Sequence, residues 1–179
     1  MIKLTLILVI VIFVLLIVLT ILSLIGRLSY LNKKVQYAEK LIEEYIEKKI
    51  KLLTKINASI KKTLRAKKDY LTNIDELNTD SLSTQEKDSK LSEYNVTVNN
   101  LLADYTKLSN NKEIKKQVAS LIELNEKNDA AKTYINKYVL KLSNVIKKFP
   151  NSIIAKFMKI KIIPLYETNE IIKNIDEEL

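Results

Sequence analysis

The sequence predicts an all-α protein: an N-terminal transmembrane helix followed by an antiparallel up-and-down four-helix bundle. Three observations carry this. Leu4 to Ile25 is an unbroken run without a charge. The chain holds one glycine, Gly26, and two prolines, Pro150 and Pro164, too few for the many tight turns of a sheet protein. Beyond Gly26, apolar residues recur at three- and four-residue spacing, and no convincing period-two alternation occurs. The expected organisation is a short tail at 1–3, an anchor at 4–25, the bundle at 26–164, and a C-terminal tail or short helix at 165–179.

Within the anchor, only Thr5, Thr20 and Ser23 are polar. As a helix it is roughly 33 Å long, enough for a hydrocarbon core of about 30 Å. A cleaved signal peptide has a shorter apolar region ending at small residues. This run ends in Ser23-Leu24-Ile25-Gly26-Arg27 without a small-x-small pair, so an uncleaved single-pass anchor in the cell (plasma) membrane is expected. Lys3 and the α-amino group precede the span, and Arg27, Lys33, Lys34 and Lys40 follow it. The positive-inside tendency then places the large domain in the cytoplasm and the N-terminus outside.

The first soluble helix should run straight on from the span, with Gly26 its only soft point. Its apolar stripe is Leu28, Leu31, Val35, Ala38, Ile42 and Tyr45, then, past the polar Lys49, Leu52, Leu53, Ile56, Ile60 and Leu64. Glu44–Lys48 and Glu47–Lys51 are favourable pairs four apart. Residues 72–90, rich in Thr, Asn, Asp and Ser, read as a long connection open to disorder or cleavage, with Ile74 and Leu77 able to hold a short helical turn. Ser83 and Glu86 form a capping box before the next stripe, Leu91, Tyr94, Val98, Leu101, Tyr105 and Leu108. Asn110-Asn111 marks a turn.

The last long helix is expected from about Lys112 to Lys148. Its stripe passes from Ile114, Val118 and Leu121 through Asn125, Asn128 and Lys132 to Ile135, Val139, Leu142, Ile146 and Phe149. Polar residues on a seam can fix register or partner. The reading preferred from sequence is that the seam drifts there to Leu124 and Ala131, as straight helices do against a strict heptad. Pro150 ends the helix, and the apolar segment Ser152–Met158 should fold back on the bundle. After Pro164, Ile171, Ile172 and Ile175 lead to an acidic end.

Composition narrows the chemistry. The absence of His and Cys removes the usual zinc, thiol and disulfide arrangements, and a Glu-x-x-His di-metal bundle site cannot exist. A single glycine rules out a Gly-rich phosphate loop. Glu43, Glu44 and Glu47 read as solvated pairs among lysines rather than metal ligands. Asn57-Ala58-Ser59 and Asn95-Val96-Thr97 match the glycosylation triplet, a pattern common by chance. No enzymatic activity and no cofactor is expected. The net charge is +9, with only Arg27 and Arg65 as arginines, which argues against nucleic acid as partner. A solvated Lys-rich surface is the plain reading of this charge, and anionic lipid contact the alternative.

The stretch from Tyr105 to Tyr166 resembles the LemA family of bacterial membrane proteins. Phe149-Pro150-Asn151-Ser152-Ile153-Ile154-Ala155 looks like that family's Phe-Pro-Ser-Asn-Ile/Leu-Ile-Ala motif with two polar residues exchanged. Ala131, Tyr134, Asn136, Val139 and Ile146 fit its last long helix, and Tyr105, Leu108 and Asn111 its Tyr-Pro-x-Leu-x-x-Asn turn, with Thr106 in place of proline. Val35, Ala38, Ile42 and Glu43 fit the start of its first soluble helix. Glu39 stands where the family usually has an aromatic, and Leu52-Leu53-Thr54-Lys55-Ile56 lacks the proline of its Leu-Ile-Pro-Asn-Leu stretch. The resemblance implies a short N-terminus, one anchor and an antiparallel four-helix bundle; it implies no enzymatic activity and transfers no catalytic residue. Some members are associated with membrane organisation.

The leading functional expectation is a membrane-anchored scaffold or interaction protein with protein partners near the bilayer. The alternatives are a transmembrane sensor or signal relay, and a membrane-organising protein that binds anionic lipid. Phe149, Pro150, Ile154 and Phe157 are the candidate docking residues, being apolar and beside a helix end. The competing reading, slightly preferred, is that they close the core.

Overall fold

The computed structural model describes residues 2–66, 69–79 and 81–168. Every regular element among them is helical: α1 (Ile2–Leu64), a 3-10 turn (Ile74–Asn78), α2 (Thr84–Asp104), α3 (Thr106–Ser109), α4 (Lys112–Ile146) and α5 (Asn151–Phe157). Helix α1 passes through Gly26 without a break. A Cβ added at Gly26 would meet nothing within 4 Å, so no neighbour requires a glycine there.

The buried stripe of α1 starts at Leu28 and continues through Leu31, Val35, Ala38 and Ile42. Beyond it Ile46 and Ile50, which the expected stripe lacked, are buried with the expected Leu53, Ile56 and Ile60, while the expected Tyr45, Leu52 and Leu64 are only half-buried. The reason is geometric. A straight helix at 3.6 residues per turn drifts against a 3.5 repeat, so a long seam must slip by one residue.

Two compact units divide the chain: residues 1–37 with 135–165, and 38–134 with 166–179. In the second unit, buried apolar side chains come from α1, from α2 (Leu91, Val98, Leu101), from α4 (Ile114, Leu121, Ala131) and from the connection (Leu71, Ile74, Leu77). Cross-helix bonds define the directions. Lys49 of α1 meets Asp88 of α2. Farther along both helices, Asn111 at the start of α4 reaches Thr63 of α1, at 3.0 Å. Asn95 of α2 bonds Asn125 of α4 while Asp88 bonds Asn128. Helix α2 therefore runs parallel to α1, and α4 runs antiparallel to both.

This corrects the up-and-down expectation, in which α2 would oppose α1. The connection is no simple turn. Asn57 of α1 accepts hydrogen bonds from the backbone N–H groups of Tyr70 and Leu71, both at 3.3 Å, and donates to Asp69 at 3.1 Å. The Tyr94 hydroxyl donates to the Thr72 carbonyl. Leu77 and Leu82 then line a groove with Glu43, Ile46, Ile50 and Lys51 of α1. The chain thus returns along α1 before α2 begins, a long crossover of a kind known in helical bundles. Leu71, Ile74 and Leu77 are at most 4% exposed, so most of this stretch is packed, not loose. From Thr84 onward, residues expected in the connection already belong to α2. The described residues supply three long helices.

Local signals set the boundaries. Ser83 and Glu86 form the reciprocal capping box that starts α2. Tyr105 is extended and separates α2 from α3. The Asn111 side chain accepts from the N–H groups of Glu113 and Ile114 and so caps α4. Helices α1 and α5 end with a left-handed residue, Arg65 (φ 51°) and Lys159 (φ 52°). The following N–H bonds back to Lys61 and Ala155 respectively, the Schellman pattern that glycine usually serves.

In the first unit, Leu28, Leu31 and Val35 of α1 are buried, as are Ile135, Val139 and Leu142 of α4 and Ala155 of α5. The Asn151 amide donates to the Val145 carbonyl at 3.2 Å, tying α5 to the end of α4. Of the expected C-terminal segment, Tyr166 and Thr168 are buried; Ile171, Ile172, Ile175 and the acidic end lie outside the described residues.

Candidate functional site: a buried Lys-Asp-Lys cluster and an exposed aromatic edge

Three helices of the second unit each bring a charged residue to one buried point. Asp88 of α2 lies between Lys49 of α1, 3.4 Å from Oδ1, and Lys132 of α4, 2.6 Å from Oδ2. Asn128 of α4 donates to Oδ1 at 2.7 Å. Relative exposures are 2% for Lys49, 7% for Asp88, 0% for Asn128 and 6% for Lys132. The half-exposed Asp129 shares Lys132 at 3.2 Å. Burial lowers the Lys49 pKa against the pull of Asp88. For Lys132 burial acts the same way, but the hydrogen bond and charge of Asp88 outweigh it and the pKa rises. Asn128 Oδ1 finds no donor among the described residues.

The seam does not drift away from its polar middle, as the preferred sequence reading had it. Ala131 is buried, but Leu124 is only half-buried, while Asn128 and Lys132 stay inside. The reason is Asp88, whose carboxylate compensates both lysines. A visible signal existed: Asp88 lies three residues before Leu91, on the same stripe, and Lys49 occupies a stripe position of α1. Such a cluster is satisfied in one register only. Sliding any of the three helices by a turn would leave a buried charge without its partner.

Beside it, Tyr166 is 4% exposed. Its phenol is pushed up to about 12 by burial first, then by the charges of Glu39, Asp88 and Glu43. Glu39 is raised by its own partial burial and by Glu43.

The candidate docking residues divide. Phe149 and Phe157 are 81% and 85% exposed and Ile153 is 49% exposed, whereas Pro150 and Ile154 are half-buried. The reading that all four close the core therefore fails for the two phenylalanines. The small side chains Asn151 and Ala155 form the buried face of α5 instead, and turn Ile153 and Phe157 outward. Ser152, Ile153, Lys156 and Phe157 line a shallow depression on that outer face.

The motif that contains this edge lies inside a family-model match that spans residues 38–176. The chain belongs to the LemA family. No curated protein and no solved structure matches it. Residues 1–37, with the apolar run, precede the LemA match. Among the described residues of this LemA chain, no group of three His, Cys, Asp or Glu side chains is placed to hold a metal ion. Glu43, Glu44 and Glu47 are exposed, and the last two pair with Lys48 and Lys51. Asn57 is 7% exposed with its amide engaged at the crossover, and the Asn95 amide donates to Asn125. Neither asparagine offers a free acceptor for a glycan in the folded chain.

Proposed function

We propose that this LemA-family protein is a non-enzymatic, single-pass membrane protein that presents a rigid helical domain to protein partners at the cytoplasmic face of a bacterial membrane. One observation carries the reading: the apolar run and the core stripe belong to one continuous helix, α1. It is the one helix among the described residues long and apolar enough to cross a membrane, and none of its apolar window is buried. The same helix then supplies the buried stripe from Leu28 to Ile60. Cleavage after the apolar run would cut through the middle of a continuous helix, which favours an anchor over a signal peptide. The domain works as a bundle of three long helices, with the crossover packed along α1 as a fourth member, and the Lys49–Asp88–Lys132 cluster locks their register.

The chain has no cysteine, so Ala103→Cys at an exposed position of α2 gives a clean topology probe. A membrane-impermeant maleimide should label it only after lysis; equal labelling in intact cells puts the domain outside. Photo-crosslinking residues at Val96 and Ile122, which are 59% and 54% exposed, should yield discrete protein adducts in cells. Their absence from both positions, and from other exposed positions of the same unit, removes the interaction role.

A further inference from the structure

Charge in this protein is segregated. Residues 26–37 and 135–165 carry ten Lys and Arg and no Asp or Glu. All 21 acidic residues lie in 38–134 and 166–179, where they outnumber the basic ones. The positive excess therefore belongs wholly to the unit that holds the apolar run, the end of α4 and α5.

The same unit exposes Phe149, Ile153 and Phe157. Large apolar side chains this bare on a charged surface mark a face that something covers. Their position indicates what. A cleft of about 560 Å³ is lined by Arg27, Tyr30 and Leu31 of α1 and, across from them, by Lys141, Lys148 and Asn151 among others. It sets the α4–α5 turn beside the first turn of α1 after the apolar run. Only Gly26 lies between Ile25 and Arg27, two steps or about 3 Å of helix rise. Phe149 follows in that turn, and Lys147, Lys148 and Lys156 around it are exposed.

We infer that the face formed by Phe149, Ile153 and Phe157 lies on the bilayer that α1 spans, its rings at the acyl boundary and its lysines among anionic headgroups. This rests on the membrane-anchor reading above. The chemistry is that of an interfacial amphipathic element: apolar side chains enter the headgroup boundary, while long basic side chains keep their ammonium groups in water beside lipid phosphates. The wholly basic charge of this unit complements an anionic leaflet and would repel a basic partner. Helix α5 thus gives the protein a second membrane contact, beside its anchor.

The chain has no tryptophan, so single-Trp variants report directly. Phe157→Trp, Ile12→Trp in the span and Val96→Trp in the other unit would each be placed, as full-length protein, in phosphatidylglycerol–phosphatidylcholine vesicles containing lipids brominated near the headgroup end of the acyl chains together with lipids brominated deep in the chains. Both Phe157→Trp and Ile12→Trp should lose most of their emission, and Val96→Trp should keep it. In vesicles of phosphatidylcholine alone, or at high salt, quenching should fall for Phe157→Trp and stay for Ile12→Trp. A Phe157→Trp emission untouched by bromolipid and quenched by aqueous acrylamide, with Ile12→Trp still quenched, overturns the inference and leaves the edge to a protein partner. If Ile12→Trp also escapes the bromolipid, the anchor reading itself falls.

Discussion

Replacing Asp88 by Asn keeps the shape of the side chain and removes the only negative charge between Lys49 and Lys132 inside the cluster. Both lysines are nearly excluded from water, at 2% and 6% exposure. Their ammonium groups lie 3.4 and 2.6 Å from the carboxylate. Breaking a buried pair at one partner costs about 3–5 kcal/mol, because the remaining charge is left uncompensated. Here two charges are left, and among the described residues only Lys132 has another carboxylate within ion-pair distance, Asp129. We expect about 4 kcal/mol for Asp88→Asn. Lys49→Met is the opposite case. It removes a cation whose pKa burial already lowers, keeps the aliphatic stem, and leaves Asp88 paired with Lys132. Its cost should stay within about 1 kcal/mol. The assay is urea unfolding of the full-length protein in detergent micelles, followed by circular dichroism. With a slope of roughly 2 kcal/mol per molar, Asp88→Asn should lower the midpoint by roughly 2 M. An unmoved midpoint for Asp88→Asn, or an equal loss in Lys49→Met, would refute the reasoning, since the first denies the buried charge and the second denies the asymmetry.

Asn57→Ala should cost about 2 kcal/mol, because the buried backbone N–H of Leu71 and the half-buried one of Tyr70 lose their acceptor; hydrogen exchange at Leu71 should quicken while that in α4 holds. Ser83→Ala removes the cap of α2 and should cost about 1 kcal/mol in the same urea assay, with Ser83→Thr close to wild type. Tyr166 titrates near 10 in an unfolded chain and is pushed up to about 12 here, so its contribution to stability is full below pH 10 and is lost as pH rises through about 12. Tyr166→Phe should therefore shift the alkaline unfolding midpoint upward, and an unchanged midpoint would show that the phenol is not held neutral.

What could be read from the chain was what is local. The apolar run, the three-four stripe from Leu28, the Ser83–Glu86 capping box and the Asn110-Asn111 turn depend on residues within a few positions of one another. What could not be read was how distant segments meet. Lys49, Asp88 and Lys132 each interrupt an apolar stripe in the sequence, but nothing local says that they meet; only the packing of three helices brings them within bonding distance. The parallel run of α2 with α1 depends on Leu71, Ile74 and Leu77 finding a surface to bury against, which local propensity does not encode. In the sequence Phe149 and Phe157 read either as docking residues or as core, since an apolar side chain beside a helix end can serve either. They lie outside because the much smaller Ala155 and Asn151 already fill the contact.

The unbroken course of α1 through Gly26 also sets a rotational phase. Each residue of an α-helix turns its side chain by about 100°, so the direction of Leu28, Leu31 and Val35 is fixed relative to every side chain of the apolar run. One residue inserted at Gly26 would swing that inward face by about 100° about the helix axis, and seven residues would restore it nearly to where it began. The helix behaves as a keyed shaft. Any activity that depends on how the membrane-proximal side chains are aimed should vary with insertion length in a cycle of about seven residues, rather than fade steadily as the spacer grows.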